Sequence, residues 1–201
     1  MIVVIDYDVG NVKSVCNALE RIGCKAKLSR APQDVEYASG LILPGVAAFG
    51  FAMSALGDLA DLLKTVVAKG KPLLGICVGY QLLFDRSSEH GENAGLGFVK
   101  GDVTKLPPGR TIPHMGWNSI ELPGDMKLFK GLGSEKHFYF AHSYYSQPAD
   151  KDAKFAYTDY GFKLPAAVQK GSVYGTQFHP EKSGPNGLAV LKNFYDICEC
   201  C

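Results

Sequence analysis

At 201 residues and 46% hydrophobic content, the chain can bury one full core but is too short for two independent ones, so residues 1–201 are read as a single domain. A formal net charge of +1 with no basic block excludes the electrostatic footprint of a nucleic-acid or anionic-membrane binder and leaves small ligands or a protein partner. No apolar run approaches membrane-spanning length, and Met1 to Asp6 carries neither a basic leader nor a small-residue cleavage site, which predicts a cytoplasmic protein. Residues 1–7 are apolar and β-branched. Val12, Val15, Cys16, Leu19 and Ile22 then share one helical face, closed by Gly23. A short strand at 25–29, a short helix or loop from Pro32 to Ala38, and a buried strand from Gly40 to Gly45 follow. Positions 51–69 predict one helix with Met53, Leu56, Leu59, Leu62, Leu63, Val66 and Val67 as its stripe. This βαβ alternation implies a parallel sheet.

After about residue 86 the pattern changes. Ser87 to Gly97 is a polar, glycine-rich loop, and strand-like segments succeed one another at 98–106, 112–121, 137–145, 153–160, 165–170 and 172–178. The second half is therefore expected to add antiparallel strands to the parallel ones. Gly187 to Ile197 closes the chain as a packed helix. Six cysteines, three of them crowded at Cys198, Cys200 and Cys201, do not form a disulfide framework. The terminal Cys-Glu-Cys-Cys lacks another ligand pair at usable spacing, so it is read as a frayed tail and no metal site is assigned.

The stretch Lys71-Pro72-Leu73-Leu74-Gly75-Ile76-Cys77-Val78-Gly79-Tyr80-Gln81 reads as a buried strand, a turn and a helix, with Tyr80, Leu82, Leu83 and Phe84 at helical spacing. Cys77 sits at the break. Glycines two before and two after it allow a sharp strand-to-helix reversal, the device of a nucleophile elbow with a thiol in place of a hydroxyl, which projects the side chain into solvent. At a helix start, unpaired N–H groups favour thiolate over thiol, and Val78 N–H becomes a natural oxyanion donor. Cys77 alone fits core packing as well as it fits a nucleophile. A second signal stands far along the chain, where the strand pattern 172–178 ends in His179-Pro180-Glu181. His179 could serve as base to the thiol, and Glu181 could orient the ring. His-x-Glu alone equally fits metal ligands or a salt-bridged turn.

Taken together, Gly75-Ile76-Cys77-Val78-Gly79-Tyr80-Gln81 and His179-Pro180-Glu181 resemble the two signatures of the class I glutamine amidotransferases. Leu43-Pro44-Gly45-Val46, Pro113-His114-Met115-Gly116-Trp117-Asn118, Tyr139 to Tyr145 and Gly175 to Ser183 are similar to the glutaminase subunits of imidazole glycerol phosphate synthases. That resemblance implies a flavodoxin-like α/β fold, one domain built on a mixed, largely parallel sheet flanked by helices, with antiparallel additions in the second half. It implies catalysis by Cys77, His179 and Glu181, with Val78 as oxyanion donor and the Gly45–Val46 segment supplying a second after reorienting. Glutamine would be held by Gln81 and the backbone of Ser143 and Tyr144. No cofactor is implied. The implied partner is a (β/α)₈-barrel cyclase in a heterodimer, met by Trp117, Tyr139 and Lys182, which uses the ammonia on a phosphoribulosyl formimino aminoimidazole carboxamide nucleotide in histidine biosynthesis. Two alternatives stay open: a glutaminase serving another synthase, for vitamin B6 or a surface sugar, and a catalytically silent scaffold. The likeness departs from the usual Pro-Gly-Val-Gly at Ala47, whose Cβ excludes most positive-φ conformations. His90, His114, His137 and His142 are read as structural, and the glycine-rich loops at 91–97 and 184–187 lack the spacing of a phosphate cradle.

Overall fold

The computed structural model describes residues 1–122, 124–134 and 136–200. Its centre is a seven-stranded sheet. Strands β1 (Ile2–Ile5), β2 (Ala26–Ser29), β3 (Gly40–Leu43) and β4 (Leu73–Ile76) run parallel, as does Val173–Thr176, which pairs directly with β4. The edge is extended by two antiparallel strands, Lys163–Lys170 and then Lys154–Asp159. Every residue of β1, β3 and β4 is buried, as their unbroken apolar runs require of strands covered on both faces. Helices α1 (Val12–Arg21) and α2 (Pro32–Tyr37) connect the first three strands, and the last helix, Gly184–Glu199, packs against α1.

Four expectations need correction. The apolar stripe of 51–69 belongs to two helices, α3 (Phe49–Leu56) and α4 (Leu59–Ala68). Gly57, at φ 49°, ends the first, and the stripe conceals the break because the apolar spacing resumes in phase. The helix after Cys77, α5, lasts one turn only (Val78–Gln81). Leu82 and Leu83 carbonyls instead accept from Leu96 and Val99, and the chain re-extends as β5 (Phe84–Ser87), pairing with the strand Val99–Lys105. Tertiary pairing here overrides helical spacing.

The run 137–145 is likewise two strands. His137–His142 pairs with His114–Ser119, whereas Tyr144–Pro148 crosses to Val99–Lys105. Ser143 is the switch point, which alternation along the sequence cannot reveal. Finally, the tail is not frayed at Cys198. That residue is buried in the terminal helix against Gly40, and Cys201 lies outside the described residues. Among the described residues, no helix is long and apolar enough to cross a membrane.

Candidate active site

Three neighbouring strands deliver the candidate residues. Pro44 to Ala47 follow β3, Cys77 follows β4, and His179 lies just beyond the strand Val173–Thr176. In open α/β sheets the crevice beyond the carboxyl ends of adjacent parallel strands is where ligands gather. Here it is a cavity of about 380 Å³ lined by Val46, Cys77, Gln81, Tyr144, His179 and Lys182, among others. A larger hollow, about 540 Å³, lies at the opposite end of the strands around Tyr37 and Lys71 and contains neither cysteine nor histidine.

Cys77 stands at φ 55° and ψ −109°, a conformation that costs a non-glycine residue roughly 1–3 kcal/mol. Its surroundings hold it there. Cys77 N–H donates to Thr176 O at 2.8 Å, and Cys77 O accepts from Gln81 N at 3.1 Å. The turn also demands close packing: a Cβ at Gly79 would overlap the Leu43 carbonyl, and one at Gly75 would lie 2.5 Å from Gly79 O. The sulfur does not project into solvent as expected. Cys77 is 3% exposed and borders the cavity, with Sγ 3.9 Å from Ala141 O.

His179 Nδ1 lies 2.8 Å from Glu181 Oε1, both side chains 2% exposed. That leaves Nε2 for the thiol. Burial works against a charged ring, but hydrogen bonds to Cys77 and Glu181, and the negative charge on each, overcome it and lift His179 to about 10. His179 is therefore held as an imidazolium beside Cys77. A helix of one turn has little dipole to offer, so the charge partner is the imidazolium rather than the helix terminus.

The candidate oxyanion donor Val78 N–H is not open in this state. Val78 N–H donates to Gly45 O at 3.3 Å, because a buried amide takes the nearest acceptor. The segment is tied at both ends. Tyr7, fully buried, donates its hydroxyl to Pro44 O, and Phe49 N–H donates to Glu89 Oε2 at 2.7 Å. Burial, and secondarily Cys77, push the Tyr7 phenol up, so it stays a donor. Ala47 adopts no positive φ here, so its Cβ carries no backbone strain.

Gln81, 3% exposed, uses both Nε2 hydrogens: one to Tyr144 O at 2.9 Å, the other to Gln177 Oε1 at 3.0 Å. Only its Oε1 remains for a ligand. Ser143 O accepts from Leu106 N at 2.9 Å, so the carbonyls at 143 and 144 are both committed. Glu89, Pro113, Met115, Ala141 and His142 also line the cavity and were not anticipated as site residues. Glu89 lies in what reads as a polar loop, and no local pattern distinguishes it. Trp117 and Tyr139 meet edge to face at 6.1 Å, Lys182 Nζ stands 6.0 Å from the Tyr139 ring, and Trp117 is 58% exposed. Neither ring behaves as core. Among the described residues, no group of three or more His, Cys, Asp or Glu is placed to hold a metal ion.

The glutamine amidotransferase class-I family model matches residues 3–198. The chain belongs to the class-I glutamine amidotransferases. Within them, this amidotransferase is 45% identical over 202 residues to "Imidazole glycerol phosphate synthase subunit HisH" of Caldanaerobacter subterraneus subsp. tengcongensis, covering 100% of both chains. It is 46% identical to the protein of that name in Methanothermobacter thermautotrophicus, covering 98% of each. The fold agrees with "Crystal structure of glutamine amidotransferase" at a TM-score of 0.80 and 22% identity, covering 99% of this amidotransferase and 100% of that chain.

Two histidines beside the site give this amidotransferase an acid limit. His114 and His142 are buried, their ring nitrogens 3.1 Å apart. Burial pushes His114 down to about 4 and His142 to about 3, the latter despite its bond to the Tyr144 carbonyl. In the unfolded chain both rings bind a proton near the ordinary value of about 6.5. Between those values the unfolded state holds more protons, so stability falls as the pH drops. His179, raised rather than lowered, opposes this loss only slightly, as its unfolded-state ring completes protonation below about 6.5, and it does so whether or not His114 and His142 are replaced. Urea titrations at pH 6.5 and 5.5 should show a loss of about 2 kcal/mol in the parent, roughly 1 per ring. A variant with both rings replaced by glutamine should not show it, and equal slopes in the two proteins would contradict this account.

Proposed function

We propose that Cys77, His179 and Glu181 hydrolyse the side-chain amide of glutamine in the cavity, within one amidotransferase domain spanning residues 1–201. The chain is the glutaminase subunit of an imidazole glycerol phosphate synthase. The observation that carries the mechanism is the buried Cys77–His179–Glu181 line facing one cavity with Gln81.

The thiolate attacks the amide carbon, and charge collects on oxygen. For that oxygen to be held, the Gly45–Val46 peptide turns, withdrawing Gly45 O from Val78 N–H and bringing Val46 N–H to its side. Two donors at an oxyanion are worth several kcal/mol in a closed site. His179 gives its proton to the departing nitrogen, releasing ammonia and leaving a glutamyl thioester. The now neutral ring takes a proton from water, whose oxygen attacks the thioester, and glutamate leaves as thiolate and imidazolium re-form. Glu89 and Gln81 Oε1 supply acceptors for the α-ammonium, and the strand edge at Ser143 and Tyr144 meets the α-carboxylate.

The exposed Val46, Met115 and Trp117, together with Tyr139 and Lys182, form the partner face, since aromatic anchors ringed by polar groups are what interfaces use. The partner is a (β/α)₈-barrel cyclase in a heterodimer, to which ammonia passes shielded from water. Glutamine hydrolysis should be measured for the chain alone and with the barrel subunit and its nucleotide. Stimulation of at least about tenfold, or 1.4 kcal/mol of barrier, supports this reading. Indifference to the barrel would point to another synthase, and no hydrolysis with all components present would mean a silent scaffold.

A further inference from the structure

A polar chain beside the cavity takes no part in the reaction just described. Tyr144 O accepts from His142 Nδ1 at 2.8 Å as well as from Gln81. A carbonyl has no proton to give, so His142 Nδ1 carries the hydrogen, and in the neutral ring Nε2 is bare. His114 Nδ1, 3.1 Å from that nitrogen, is therefore the donor to it. His114 is itself fixed, stacked between Tyr160 at 3.9 Å and Phe140 at 4.7 Å. The polarity of the whole chain is set by one carbonyl. It also orients Gln81, whose nitrogen must face Tyr144 O, so that the oxygen faces the cavity.

We propose that His142, held by His114, is a positioning residue for glutamine: through the Tyr144 carbonyl it fixes the strand switch at Ser143 and keeps Gln81 Oε1 turned to the ligand. The inference rests on the cavity being the glutamine site. It concerns binding rather than bond breaking, since neither imidazole is given a proton to transfer. Losing the donor lets the carbonyl turn away from Gln81 Nε2, which is then held by Gln177 Oε1 alone, and the acceptor that selects a ligand N–H is less firmly aimed.

Two substitutions separate hydrogen bonding from packing. Phenylalanine keeps the ring's bulk without a donor, while asparagine is smaller but places its Nδ2 where Nδ1 stood. In the complex with the barrel subunit, His142→Phe should raise the KM for glutamine about tenfold, and His142→Asn should return it to within about threefold of the parent. In both, kcat should stay within about threefold, and synthesis from added ammonium should be unchanged, which reports a folded complex. His114→Phe, which leaves the Tyr144 bond in place, should raise KM by about threefold and provides a second arm if His142→Phe does not fold. An unchanged KM in His142→Phe, asparagine no better than phenylalanine, or a fall in kcat at constant KM would overturn the proposal. Glutamine hydrolysis surviving in Cys77→Ala would instead remove the site assignment itself, however the His142 variants behave.

Discussion

His179→Asn should lower kcat for glutamine hydrolysis by about 10³-fold, roughly 4 kcal/mol of barrier, with KM changed by less than about threefold. Asparagine keeps a donor where Nδ1 meets Glu181 and deletes the nitrogen that faces Cys77. It therefore removes the charge partner of the thiolate and the acid for the leaving ammonia while sparing the fold and the glutamine contacts. Two losses act in one step, which is why the effect belongs in kcat. The pH profile gives an independent check. In the parent, the rate should fall as pH rises past about 10, where the His179 proton is lost, and the variant should lack that limb. Steady-state kinetics of both proteins would decide it, and a KM effect with kcat preserved would place His179 in binding instead.

What could be read from the sequence divides along physical lines. The strands β1, β3 and β4 were legible because strands buried on both faces must be continuously apolar, and the elbow at Cys77 because its glycines answer to close packing by Leu43 and by α5. The length of α5 was not legible, since Leu82, Leu83 and Phe84 keep helical spacing while their partners, Leu96 and Val99, lie more than ten residues downstream. The same limit hid the switch at Ser143.

In the site, Cys77, His179 and Glu181 share signatures short enough to stand out. Tyr7, Glu89 and His142 meet the site only through the fold: Tyr7 from the loop after β1, Glu89 from the loop after β5, His142 from a strand end. Nothing in their neighbourhoods in sequence points to that meeting. The Gly45 carbonyl on Val78 N–H was equally beyond reach, because a donor's identity can be read from a motif whereas its current occupant depends on backbone orientation.

Cys77→Ala bears on the central claim, that one sulfur carries the glutamine half of the reaction and nothing else. The substitution removes Sγ from a cavity wall and leaves His179, Glu181 and the partner face in place. Glutamine-dependent synthesis has no other route to ammonia, so its loss should be complete, beyond the roughly 10⁶-fold seen when a covalent nucleophile is removed from comparable machinery. Ammonia supplied from solution bypasses the thioester altogether. The deciding measurement is the rate of nucleotide product formation by the Cys77→Ala chain in complex with the barrel cyclase, taken once with glutamine and once with an ammonium salt at alkaline pH. The account predicts no detectable product with glutamine and a rate with ammonium equal to that of the parent complex. Synthesis from glutamine at anything near the parent rate would contradict it.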